Sequence, residues 1–255
     1  MHFQYLVEDQ SGTALIRILM QKIVELYPNA TYDCKGFRGI GGFTRKNTIK
    51  ETKTGKLLND LATYLRGFDR SLQSFPSVII VVLDSDDHDV QQFRSELEAV
   101  AMQNMIKIDH VFCLAVEEIE AWLLGDRHAL LSAYPHAKMH VLNTYVQDSI
   151  CGTWEVLADA VYPGGTSKLS REHASFIEIG KLKAEWAQNI GIHMDLKSNE
   201  SPSFNDFIHE IERRLVSQTL VITVLNGSNI SKVTCTMPPV VLFGRRCSCH
   251  FRFLE

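Results

Sequence analysis

Carboxylates follow three of the hydrophobic segments in this sequence that have the length of a strand. These acids are Glu8, Asp84, Asp86, Glu117, Glu118 and Glu120. Oxygen ligands of this kind are preferred by Mg²⁺, which is held by a few carboxylates and keeps several waters. In α/β proteins, ligands bind outside the carboxyl ends of the strands. The pattern therefore predicts a Mg²⁺ or Mn²⁺ site where these three segments end.

The strongest part of this pattern is a run with four aspartates within residues 84–89. Successive side chains of an extended chain point to opposite sides, so Asp84 and Asp86 are expected to reach one cation. A solvated turn is the plain alternative. For Glu8 and the later glutamates, the alternative is a position at the start of a helix, where the dipole favours acids.

A glycine-rich loop at 36–42 is the candidate phosphate-binding segment. Glycines expose backbone N–H groups to an anion, and the basic residues Lys35, Arg38 and Arg45 lie in or beside the loop. The loop lacks the spacing of the dinucleotide-binding and Walker motifs. Farther along, Lys181 is a candidate for reaching a phosphate in the transition state, and a surface ion pair one helical turn away is its plain alternative.

The elements that must position these residues alternate between strand and helix over residues 1–124. The aliphatic run Val78–Leu83 is typical of a central parallel strand covered on both faces. Segments 2–7 and 110–116 are further strands, and amphipathic helical patterns lie between them. This alternation predicts an α/β fold with a mostly parallel central sheet flanked by helices.

Three regions follow from the change of pattern along the chain. Residues 1–124 form the predicted core, and 125–220 form a helical C-terminal extension that packs on it. The last clear helix begins near Ser203. Residues 221–255 are rich in Val, Thr and Ser and hold three of the six cysteines. This tail is interpreted either as a β appendage or as a non-native segment.

The composition is that of an ordinary globular protein, with 45% hydrophobic and 22% charged residues and a net charge of −4. A mildly acidic balance argues against a protein that binds nucleic acid mainly through its own field. Bound Mg²⁺ would cancel part of the clustered acid charge, so a phosphodiester substrate remains compatible. The longest aliphatic run is far shorter than the roughly 20 residues of a membrane span. We expect a cytoplasmic protein with no membrane partner.

Two motifs resemble those of the Toprim fold, which occurs in topoisomerases, primases and nucleases of the OLD (overcoming lysogenization defect) type. A first strand ends in Glu8 before a small-residue turn and a helix, and a later strand ends in Asp84-Ser85-Asp86. Asp9 stands where the Toprim motif usually has glycine. The order of parts over residues 3–216 is similar to a bacterial Toprim-like family that is commonly encoded beside an SMC-like or OLD-like ATPase in phage-defence clusters.

The resemblance implies a Mg²⁺-dependent DNA nuclease, a hydrolase of phosphodiester bonds. It would be the effector subunit of an antiviral defence system, an endonuclease or a related enzyme. An ATPase would be its partner, and the chain itself could form a homo-oligomer. Glu8 would be the general acid/base or a metal ligand, and Asp84 and Asp86 would hold Mg²⁺. Glu118 or Glu120 would complete a second metal site. Lys181 would match the late active-site lysine of the OLD nucleases.

Two other functions stay open. A phosphoryl or nucleotidyl-sugar transferase also carries a Mn²⁺-binding Asp-x-Asp after a hydrophobic strand, but it gives no reason for Glu8 to face that pair. A distance above about 10 Å between Glu8 and the Asp84/Asp86 pair would favour the transferase, because it exceeds the spacing of two metal ions plus the reach of their ligands. A regulatory subunit would keep the fold for interaction alone, and metal-dependent cleavage would then be missing.

Overall fold

The computed structural model describes residues 1–39, 41, 56–172 and 175–225. Its strands are β1 (His2–Val7), β2 (Thr31–Gly36), β3 (Ser77–Asp84) and β4 (Asp109–Ala115). The helices of the first half are α1 (Gln10–Leu26), α2 (Leu57–Ser71) and α3 (Val90–Gln103). Those that follow β4 are α4 (Glu120–Leu124), α5 (Arg127–Ala133), α6 (Met139–Leu142), α7 (Thr153–Val161), α8 (Gly165–Glu172), α9 (Phe176–Gly191) and α10 (Pro202–Leu225).

The four strands form one parallel sheet in the order β2-β1-β3-β4. Val7 lies opposite Gly36 on one side and Val82 on the other, and Asp84 lies opposite Ala115. All the carboxyl ends therefore meet at one edge. The predicted α/β class and parallel central sheet are confirmed.

Alternate side chains of β3 enter two separate hydrophobic cores, as the period of two in a strand requires. One core takes Val78, Ile80 and Val82, and the other takes Ile79, Val81 and Leu83. The first core includes α1 and most helices after β4, and the second is closed by α2 and α3. Because β3 is covered on both faces, its residues 78–83 can all be aliphatic.

The chain changes faces between β1 and β3. β1 leads through α1, on the first face, to the outer strand β2. The connection from β2 to β3 then includes α2, which packs on the opposite face. A change of this kind opens a crevice at the carboxyl ends of the two strands, where ligands of doubly wound sheets bind. Glu8 and Asp84 are the residues at that place.

Among the described residues after β4 there are helices and no strand. Trp122 anchors this region, because its ring stacks on Phe207 at 4.9 Å and its indole N–H donates to Ser203 Oγ at 2.9 Å. Helix α10 begins at Pro202, one residue before the predicted start. Ser201 Oγ accepts the Phe204 N–H at 3.2 Å and serves as the cap.

The chain divides into two units, Met1–Gln218 and Thr219–Glu255. Of the second unit the structure describes residues 219–225, which are helical. Residues 221–225, assigned to the tail from the sequence, thus belong to a helix rather than to β structure. The rest of the tail lies outside the described residues. Within the described ranges, no helix has the length and apolar character needed to cross a membrane.

The close approach of α1 to the end of β1 depends on Gly12. A Cβ at this position would lie 2.9 Å from Val7 Cγ1 and 3.3 Å from Ile119 Cδ1. We predict that Gly12→Ala lowers the free energy of unfolding by about 1–3 kcal/mol, because both neighbours are packed core side chains. Urea denaturation measures the change.

Gly67→Ala is the matched control, since Gly67 lies within α2 and has no described atom within 4 Å of the added Cβ. It should raise the free energy of unfolding by roughly 0.5–1 kcal/mol through helix propensity. Equal stabilisation by the two substitutions would contradict the close packing at Gly12.

Candidate functional site

Glu8 and Asp84 lie side by side at the carboxyl ends of β1 and β3. Glu8 Oε2 accepts the backbone N–H of Asp84 at 3.0 Å. Asp84 Oδ1 accepts the backbone N–H of Ile119 at 2.9 Å. In each carboxylate, the second oxygen receives no hydrogen bond from a described residue. Two fixed carboxylates therefore each keep one oxygen for a ligand.

Burial makes the charged forms of this pair costly. Burial raises the pKa of Glu8 to about 7, repulsion from Asp86 and Asp9 adds to the rise, and the hydrogen bond from Asp84 opposes it. The pKa of Asp84 is raised well above its ordinary value, first by burial and then by Glu8. The two carboxylates thus lack sufficient positive charge nearby, which a cation would supply.

Asp86 lies at the exposed rim of this pair. The strand ends at Asp84, and Asp86 has a φ of 46°, so the alternation that predicted a common direction does not extend to it. Its backbone N–H donates to the Glu117 carbonyl at 2.9 Å. Asp86 still raises the pKa of Glu8 by repulsion. The structure therefore brings Glu8 and Asp84 together and places Asp86 beside them.

Glu117 is committed to a structural role. Its carboxylate accepts the backbone N–H groups of Cys151, Gly152 and Thr153 at 3.1, 2.7 and 3.0 Å, and also the Thr153 hydroxyl. Burial alone would raise the pKa of Glu117, but these hydrogen bonds outweigh it and lower the pKa. The carboxylate thus binds the N-terminus of α7 and is occupied.

Glu118 and Glu120 converge on the ammonium group of Lys183. Lys183 Nζ lies 3.3 Å from Glu118 Oε1 and 3.2 Å from Glu120 Oε2. The other oxygen of Glu118 accepts the Trp154 N–H at 3.0 Å. Glu120 is fully buried, and its contact with Lys183 has ion-pair distance without hydrogen-bond geometry, so neither of its oxygens has a hydrogen-bond partner among the described residues.

The charges in this second group compensate one another in part. Burial raises the pKa of Glu120 to about 7, although Lys183 acts against the rise. Burial alone would lower the pKa of Lys183, but Glu120, Glu118 and Asp84 outweigh it and raise the pKa. Lys183 therefore carries a permanent positive charge beside both groups of carboxylates.

The lysine that the structure places beside the carboxylates is Lys183, whereas Lys181, the lysine singled out from the sequence, is not paired with them. Residues two apart on an α-helix lie about 200° apart around its axis, and Lys181 is exposed. The sequence held a signal for the right choice. Lys183 precedes Trp186, Ala187 and Ile190 at helical spacing, and these three form the buried stripe of α9.

The start of the glycine loop lies beside Glu8. The Gly39 N–H donates to the Glu8 carbonyl at 2.9 Å. Lys35 Nζ lies 4.9 Å from the centre of the Tyr64 ring, a cation–π contact, and Arg38 is exposed. Arg45, the third predicted phosphate ligand, lies outside the described residues. The role of these residues toward phosphate stays a prediction.

The oxygen ligands of the site suit a hard cation, but few of them are available to hold it. Within the described part of the chain, no group of three or more His, Cys, Asp and Glu side chains is arranged to hold a metal ion. Mg²⁺ is commonly held by one or two carboxylates together with waters and substrate phosphates. Glu8 and Asp84 match that mode, whereas Glu118 and Glu120 are paired with Lys183.

Comparison of the chain with protein-family models, with curated proteins and with solved structures finds no match.

The raised pKa of Glu8 predicts how stability depends on pH in a metal-free buffer. The folded protein keeps this carboxyl protonated above 4.5, its ordinary pKa, whereas the unfolded chain releases the proton. The free energy of unfolding therefore falls as the pH rises toward about 7. Glu8→Gln removes this cost, and we expect it to stabilise the protein by about 1–3 kcal/mol more at pH 8 than at pH 5.

Urea unfolding of both proteins with a chelator present, at the two pH values, measures this difference. If the free energies of unfolding of wild type and Glu8→Gln differ by the same amount at pH 5 and at pH 8, the pKa of Glu8 is not raised as described.

The ion pairs of Lys183 predict a large stability effect. Lys183→Ala would leave two glutamates without their cation in a buried site, and we expect it to lower the free energy of unfolding by about 3–5 kcal/mol at neutral pH. Lys181→Ala, on the exposed face of the same helix, should change it by less than about 0.5 kcal/mol. Chemical denaturation compares the two, and similar losses would contradict the assignment.

Proposed function

We propose that this protein is a metal-dependent nuclease that hydrolyses phosphodiester bonds in DNA, with a Toprim-like core. The observation that carries the proposal is the contact between Glu8 and Asp84, whose partly buried carboxylates share the crevice at the carboxyl ends of β1 and β3. These are the residues through which the sequence resembles the Toprim motifs. Two desolvated acids with free oxygens at a switch point are suited to a divalent cation.

The residues divide the work of hydrolysis. Bound Mg²⁺ would supply a Lewis acid for a phosphate oxygen and lower the pKa of a coordinated water. Asp84, oriented by the Ile119 N–H, would hold the cation through its free oxygen. Glu8 accepts the proton of the attacking water at Oε1. The water oxygen bonds to phosphorus, the bond to the leaving oxygen breaks, and solvent returns a proton to that oxygen.

The position of Glu8 also separates this function from the transferase alternative. A nucleotidyl-sugar transferase gives no reason for the acid of the first strand to touch the Asp-x-Asp motif, whereas Glu8 Oε2 lies 3.0 Å from the Asp84 nitrogen. This contact supports a site built from both strands.

DNA is the proposed substrate, and an SMC-like or OLD-like ATPase is the proposed partner. Lys35 and Arg38 lie where β2 ends, at the same edge as Glu8, and could contact the phosphates on either side of the cleaved bond. A net charge of −4 gives the chain little attraction for DNA by itself. A partner that delivers the substrate would supply that attraction, as the family resemblance implies.

The test is cleavage of plasmid, linear duplex and single-stranded DNA with Mg²⁺ or Mn²⁺. We expect Glu8→Gln to reduce the rate by at least about 10²-fold, the lower range for loss of a proton-transfer group. Asp84→Asn should reduce it at least as much, because it removes the ligand of the cation. Asp89→Asn is the matched control. It removes one negative charge from the same loop, and asparagine preserves the cap to the Gln92 N–H.

Cleavage that survives Asp84→Asn would place the chemistry elsewhere. Absence of cleavage by the wild type with either ion, alone and with an ATPase partner, would favour the regulatory subunit. Equal cleavage of duplex DNA by the chain alone and with the partner would argue against delivery by the partner.

A further inference from the structure

The position predicted for a second metal ion contains an ammonium group. Glu118 and Glu120 stand at the beginning of α4, and both carboxylates face Lys183 Nζ at 3.2–3.3 Å. These are the two glutamates that the sequence assigned to a second cation. In a site with two divalent ions, these oxygens would have to be free for the metal.

Glu120 shows how strongly this position requires positive charge. Its side chain has no exposed surface, and neither oxygen has a hydrogen-bond partner among the described residues. A buried carboxylate without hydrogen bonds is stabilised by a cation or by taking up a proton. Lys183 is the cation that the described structure provides, and its side chain is only 14% exposed.

Lys183 is held in this position by its helix. Trp186 and Ala187, which lie one helical turn later, are buried in the core on the α1 side of the sheet. Helix α9 packs along α1, with Gly191 in contact range of Leu15. Moving Lys183 away would leave the buried Glu120 and the partly buried Glu118 without their cation.

We propose that the site takes a single divalent cation, held by Asp84 next to Glu8, and that the Lys183 ammonium group permanently occupies the place of a second one. This inference rests on the proposed function and specifies how that function is carried out. Lys183 supplies fixed positive charge beside the bound phosphate, where a second metal ion would otherwise stabilise negative charge. A fixed ammonium group does not exchange with solvent and needs no second ion from the medium.

The test is the number of Mn²⁺ ions bound per chain, measured by electron paramagnetic resonance of free Mn²⁺ with calorimetry as a check. We expect one ion for the wild type. Asp84→Asn should bind none, and Glu120→Gln should still bind one, because Glu120 is paired with Lys183 and takes no part in holding the metal. Gln has nearly the shape of Glu, so this variant is suited to keep the fold.

Lys183→Met is the complementary variant, since it frees Glu118 and Glu120. We expect it to bind a second Mn²⁺, which should restore part of the stability lost with the lysine. If Lys183→Met does not fold, the comparison of wild type with Glu120→Gln still decides the matter.

Two ions in the wild type, one of which is lost in Glu120→Gln, would overturn the single-ion proposal and leave the nuclease proposal standing. Failure of wild type and Asp84→Asn to differ in Mn²⁺ binding would overturn both. The two proposals can therefore fail separately.

Discussion

An excess of buried negative charge at one edge of the sheet is the constraint on which this structure depends. Four carboxylates, those of Glu8, Asp84, Glu118 and Glu120, lie largely out of water, and Lys183 is the cation that the described structure places among them. In water, each acid would be ionised at low cost. In this crevice, the same acids need hydrogen bonds, a counter-charge or a proton.

The fold supplies much of that need through backbone N–H groups. Asp84 receives the N–H of Ile119, and Glu8 receives that of Asp84, so the end of each strand supports an acid from another part of the chain. Glu118 receives the N–H of Trp154 at the start of α7. The parallel register makes these contacts possible, because it brings the chain segments that follow β1, β3 and β4 to one place.

The sequence could predict features that depend on local periodicity. The aliphatic run in β3 revealed a strand buried on both faces, and the acids that follow the strands revealed the edge at which they meet. Lys183 was also within reach of prediction, because Trp186 and Ala187 mark the buried side of its helix. Lys181 lies outside that stripe, so the pattern favours Lys183 as the lysine that faces the carboxylates.

Other features could not be predicted, because they depend on contacts between distant parts of the chain. Asp86 has a positive φ and is exposed at the rim, and the residue type alone does not predict this backbone conformation. Glu117 and Thr153 are 36 residues apart, so no local pattern links them. Glu120 is buried and pairs with Lys183 on α9, and no local pattern links these two residues.

The hydrogen bonds from α7 to Glu117 and Glu118 have a mechanical consequence. Two consecutive residues after β4 receive the N–H groups of residues 151–154, and the second of them also contacts Lys183 on α9. Helix α7 therefore cannot move away from the sheet without breaking the hydrogen bonds of Glu117 to residues 151–153 and that of Glu118 to Trp154. The attachment of α7 and the contact with Lys183 at the site are thus made by two adjacent residues, Glu117 and Glu118.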